Sequence, residues 1–213
     1  MKTDELVTLL ATRAAPAPRH VAARRFALAM PLAIAAAMAL MRGLYGIRPD
    51  LAVVAGQPLF WARLVFAAAM SVGALIVVLR LARPGRRVAA AWWGVAAPVL
   101  VLWAAAIGVL WWLPAESRAP QLLGHTWSQC AANITLLSIP ALAALFWAVK
   151  GLAPTRLRLA GAATGLLGGA IATIAYCLHC PEMTVPFWAV WYVSGMAVPA
   201  LAGAVLGPRL LRW

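Results

Sequence analysis

The sequence predicts an all-α polytopic membrane protein, a bundle of six transmembrane helices preceded by a short cytoplasmic amphipathic segment. Three observations carry that prediction. Of the 213 residues 65% are hydrophobic and only 11% charged, with a mean hydropathy of +0.89, which is too apolar for a water-soluble domain. Six stretches approach the ~20 apolar residues that a helix needs to cross a hydrocarbon core ~30 Å thick. The 18 Lys and Arg residues fall mainly on one side of those stretches.

Residues 1–25 form a tail. Thr3 is placed as an N-cap, Asp4 and Glu5 suit the positive end of a helix dipole, and Leu6, Leu9 and Leu10 share one face at helical spacing. A helix of about eleven residues is marginal alone in water. It is therefore expected to become ordered by laying Leu6, Val7, Leu9 and Leu10 on a partner's groove or on the membrane surface. The tail divides at Pro16-Ala17-Pro18.

The spans follow at 26–41, 60–79, 88–113, 124–149, 159–180 and 183–208, and residues 209–213 form a cytoplasmic C-terminus. The first is short, but Arg25 and Arg42 bracket it, and such long side chains snorkel to the interface. Arg24-Arg25-Phe26 before an apolar run also has the form of a leader, yet Arg42 follows that run directly and nothing after Met41 looks like a soluble domain. Arg63 and Arg80 are read as edge residues of the second span, which can begin at Pro58, a residue suited to the first turn of a helix. The fourth has a polar lead-in, Gly124 to Gln129, in which Thr126 and Gln129 are spaced as a capping box. Gly161, Gly165 and Gly169 in the fifth span, and Gly195, Gly203 and Gly207 in the sixth, offer small faces on which backbones approach closely.

Charge sets the orientation. Fourteen Lys and Arg residues lie in the tail, the second loop, the fourth loop and the C-terminus, while Arg42, Arg48, Arg63 and Arg118 lie on the other side. Both termini are therefore expected in the cytoplasm of a bacterial inner-membrane protein. The net charge of +13 is accounted for by orientation, so direct binding of nucleic acid is not expected. Trp92, Trp93, Trp111, Trp112, Trp127 and Trp147 fall near span ends, where amphipathic rings favour the headgroup level. No charged residue is placed deep inside a span, which argues against ion-coupled transport.

Reactive side chains gather at one end. Cys130, Cys177, Cys180, His125 and His179 all map to the outer side, and only His20 lies elsewhere. That compartment is oxidising, and a Cys130–Cys180 bridge would tie spans four and five together. Cys177 and Cys180 spell C-x-x-C, but the pair ends a helix, where the dipole opposes thiolate formation. Cys130, near the start of its helix, is expected to be the more readily ionised, and Cys177 is read as a small buried hydrophobe. Thiolates with imidazole also make Cys130, Cys180, His179 and His125 a candidate ligand set for zinc, cadmium or a similar ion, bound transiently rather than as a resident cofactor. A quinone-linked thiol oxidoreductase would use two cysteine pairs, and the chain has three cysteines. A small-solute transporter fits six spans but not the absence of interrupted half-helices.

Met1-Lys2-Thr3-Asp4-Glu5-Leu6-Val7, the cysteine in span four, and the run from His179-Cys180-Pro181-Glu182-Met183 to Tyr192 together resemble the NrsF family, the negative regulators of sigma-F. The resemblance covers essentially the whole chain. It implies a membrane anti-sigma factor and no enzyme. In it the N-terminal segment, through Asp4, Glu5, Leu6, Leu9 and Leu10, restrains an extracytoplasmic-function sigma factor. It also implies that outward-facing Cys130 and Cys180 respond to redox or heavy-metal stress, while Cys177 stands outside the family pattern.

Overall fold

The computed structural model describes residues 3–13, 20–83, 85, 87–152 and 154–212. In chain order the helices are α1 (Thr3–Arg13), α2 (Val21–Leu44), α3 (Leu51–Val54), α4 (Pro58–Leu81), α5 (Trp93–Trp112), α6 (Ala115–Leu123), α7 (Trp127–Lys150), α8 (Leu157–Tyr176), α9 (Val185–Phe187) and α10 (Val193–Leu210). A 3₁₀ turn, Ala89–Trp92, leads into α5, and a π-helical segment, Trp188–Tyr192, joins α9 to α10. The described residues contain no strand. Helices α2, α4, α5, α7, α8 and α10, with the short segments continuous with them, are long and apolar enough to cross a membrane.

Composition explains which helix sits in the middle. Ala160, Gly161, Ala163, Gly165, Gly168, Gly169 and Ala170 make α8 small on every side, and it is buried against α10, α7, α4 and α2. The α8–α10 seam is the tightest: a Cβ on Gly161 would meet the Gly203 carbonyl, and one on Gly165 the Pro199 carbonyl. Gly195 instead faces Ile134 of α7. Of the six long apolar helices α5 buries least, packing mainly on α4 through Gly73 and Gly94 and leaving Trp93, Val101, Trp111 and Trp112 exposed at the edge of the bundle.

The bundle has two unlike ends. One collects the start of α2, the α4–α5 and α7–α8 connections and the end of α10, and is basic. There Arg25 Nη1 donates to Trp147 O at 3.0 Å and its guanidinium lies 5.2 Å from the Trp147 ring, placing a cation at the negative end of α7. The other end carries the thiols.

Two sequence expectations change here. Thr126 occupies the N-cap position of α7, but its hydroxyl makes no cap bond and is buried without a partner among the described residues. The Gln129 and Cys130 N–H groups go instead to the Thr126 carbonyl, at 3.1 and 3.0 Å. Arg63 is not an edge residue: because α4 begins at Pro58, Arg63 lies more than a turn inside it and is 0% exposed.

Candidate functional site

Helix α8 ends at Tyr176, and the chain then crosses the end of the bundle as a non-helical linker, 177–184, before α9. A helix end leaves carbonyls without intrahelical donors, and burying them beneath other helices demands partners. Arg63 supplies them. Its Nη2 donates to Cys177 O at 2.7 Å, and its Nη1 to Cys180 O at 3.0 Å and Glu182 O at 3.2 Å. The guanidinium also lies 5.0 Å from the Phe60 ring, while its Nε has no partner among the described residues. A planar five-donor cation fits three carbonyls in a way that a lysine could not, and its charge meets the negative end of the α8 dipole.

Arg48, in the α2–α3 loop, adds a second clamp. It forms a bidentate pair with Asp50, both bonds 2.7 Å, and its Nη1 donates to Cys180 O at 3.1 Å. Its backbone N–H donates to Leu178 O. The Asp50 carboxyl is held below the usual carboxylate range, chiefly by its hydrogen bond from Arg48. From the opposite side, Glu182 accepts the His125 N–H at 2.7 Å. Gly124, with φ of +58°, permits that approach, since a Cβ there would collide with the Glu182 carboxyl and the Phe187 ring. Side chains from the segment leading into α10 satisfy carbonyls near the end of α6: Thr184 Oγ1 donates to Gln121 O and Trp191 Nε1 to Leu122 O.

The linker thus presses Cys180 against Cys130 in the first turns of α7, and the two side chains interact directly. All three cysteines are free thiols and fully buried. Tyr176 and Tyr192 close the pocket, and the Tyr192 hydroxyl lies beside Cys177 and Cys180 with no well-aligned hydrogen-bond partner among the described residues. The expected polarity of the pair is reversed. Cys180 is the thiol held below its ordinary range, first by the Cys130 thiol and also by the Arg63 charge, although burial opposes the shift. Helix polarity alone misjudged this because the hydrogen bond from the Cys130 thiol outweighs the dipole end at which Cys180 sits.

Cys130 and Cys180 are both buried, covered by the linker that the carbonyl clamps hold. The four-residue ligand set does not assemble. His125 is almost fully exposed beside Glu182, and His179 directs Nδ1 at Gly46 O, 3.1 Å away, between the rings of Tyr45 and Tyr176. Among the described residues no three His, Cys, Asp or Glu side chains are arranged to hold a metal ion. Asp4 and Glu5 lie exposed in the first turn of α1, while the side chains of Leu6, Leu9 and Leu10 are outside the described residues.

Comparison with known proteins gives this geometry its context. The family model described as negative regulator of sigma F matches residues 10–213. The chain is 43% identical, over the full length of both, to the probable anti-sigma-F factor NrsF of Azospira oryzae. It is 36% identical, again over both full lengths, to the anti-sigma-F factor NrsF of Caulobacter vibrioides. No solved structure matches it. The chain belongs to the NrsF family of anti-sigma regulators, which are not enzymes.

Proposed function

We propose that this protein is a membrane-bound anti-sigma factor of the bacterial inner membrane that holds an extracytoplasmic-function sigma factor with its N-terminal tail and releases it when Cys130 and Cys180 react. The juxtaposition of those two thiols beneath a linker clamped by Arg48 and Arg63 is the observation that most favours this reading. In the bilayer the basic end faces the cytoplasm under the positive-inside rule, with the tail on the same side and the thiols toward the oxidising compartment. Joining the two sulfurs removes two electrons and two protons, which pass to a small oxidant such as a peroxide or a disulfide reagent. A disulfide holds its sulfurs ~2.05 Å apart, so the bond draws the linker toward α7. A thiophilic metal ion bridging the same pair draws it likewise. A switch needs two states of different affinity for the partner, and the seam between α7 and α8 is where they differ.

Asp4 and Glu5 with Leu6, Leu9 and Leu10 form the partner-binding face of the tail. The test is sigma-dependent transcription under diamide or cadmium with a Cys130→Ser/Cys180→Ser variant and, separately, Leu9→Asp. The cysteine variant is expected to hold the sigma factor under stress, and Leu9→Asp to release it without stress. An unaltered stress response in the cysteine variant contradicts the thiol switch, and full repression by Leu9→Asp contradicts the tail assignment.

A further inference from the structure

At the basic end, a cavity of about 520 Å³ opens between the end of α4, the turn that follows it, the 3₁₀ turn before α5 and the start of α8. Arg80, Arg83, Arg87 and Arg156 surround it. Among the described residues no carboxylate lines it, and neither ion pair found there involves any of the four. Of the chain's five acidic residues, Asp4 and Glu5 belong to α1, while Asp50, Glu116 and Glu182 lie toward the thiol end. Orientation alone requires that cations stand on this face. It does not require that four of them converge on one hollow, where like charges repel unless an anion enters.

The remainder of the wall narrows the choice of anion. Leu81 and Val88 are buried in it, Trp92 is half-buried, and Leu159 is exposed at its edge. A free inorganic anion would leave that apolar half unused. An amphiphile fills both halves, with a phosphate diester among the guanidinium forks and its glycerol and acyl root along Trp92 and Leu159. The volume lies within the ~300–1,000 Å³ usual for small-molecule sites. Basic pockets between spans on the cytoplasmic side are also the kind that receive anionic headgroups. We infer that this cavity is a binding site for the phosphate headgroup of an anionic phospholipid, which ties the α4–α5 connection to the start of α8. The inference needs only that the chain sits in a bilayer, and it stands apart from the sigma-factor reading.

Native mass spectrometry of the full-length protein, released from detergent micelles after titration with phosphatidylglycerol, phosphatidylcholine or inorganic phosphate, tests it. Phosphatidylglycerol is expected to bind at least tenfold more tightly than phosphatidylcholine. That preference should vanish in R83Q/R87Q/R156Q and persist in R24Q/R209Q/R212Q, which removes three arginines of the same end outside the cavity. Equal phosphatidylglycerol binding by the two triple variants overturns the proposal, as does inorganic phosphate binding as tightly as the lipid. If the first triple variant does not fold, a photoreactive phosphatidylglycerol analogue on the wild-type protein decides the matter. Label within 80–92 and 155–159 supports the site, and label confined elsewhere overturns it.

Discussion

At the scale of single residues, Arg63 carries the most consequence. A fully buried guanidinium is costly, and here the cost is offset by three carbonyls, an aromatic face and a helix C-terminus. Cys180 O retains Arg48 and Glu182 O retains Trp188 Nε1 when Arg63 is lost, but Cys177 O has no other side-chain donor among the described residues. Arg63→Met is therefore expected to destabilise the folded protein by about 3 kcal/mol, the scale of losing charged hydrogen bonds and stranding a buried carbonyl. Thermal unfolding in detergent measures it, and an unchanged midpoint contradicts the clamp. Cys180 gives a pH signature. A group whose pKa is depressed on folding contributes stability that is fully present above the unfolded value, ~8.5 for a thiol, and is lost as pH falls through the folded value. The stability difference between wild type and Cys180→Ser should accordingly grow as pH rises from below the folded value toward ~8.5. Removing the donor with Cys130→Ala should shrink that growth, and a difference that falls with rising pH reverses the assignment.

At the scale of helices, the small-residue seam between α8 and α10 fixes how closely the central helix is held. A Cβ on Gly203 meets the Gly161 carbonyl and the Gly165 Cα, which are backbone atoms that cannot turn aside, whereas one on Gly108 of α5 meets nothing. Gly203→Leu should cost about 2 kcal/mol or more through overpacking, while Gly108→Leu should be close to neutral. Comparison of their unfolding midpoints checks this, and equal effects would mean that the seam is not a tight one. The six helices long and apolar enough to cross a membrane were legible in the sequence because ~20 apolar residues, charges at the ends and Pro58 at a helix start all read locally. The capping box was not, since Thr126 and Gln129 have the right spacing while the Gln129 N–H goes to the Thr126 carbonyl instead of its hydroxyl.

At the scale of the whole molecule, the sequence placed Cys130 and Cys180 at one end of the bundle but could not show what lay between or around them. Depth along a helix is a local property. Which side chain faces which is set by packing, so the pull of Gly46 and Glu182 on the two histidines, and the end of α8 beside Arg63, appear only when the helices are assembled. One signal was available: an arginine more than a turn inside an apolar span that starts with Pro58 must find partners within the protein. The assembled arrangement puts the buried thiol pair at one end of the bundle and the start of α2 at the other, with α7 and α8 running between them. The most direct test is to treat membranes containing the wild-type protein with diamide, then quantify the Cys130–Cys180 disulfide and the co-purified sigma factor in the same sample by mass spectrometry. The account predicts that the sigma factor is lost in proportion to the disulfide formed; full retention alongside complete disulfide formation would contradict it.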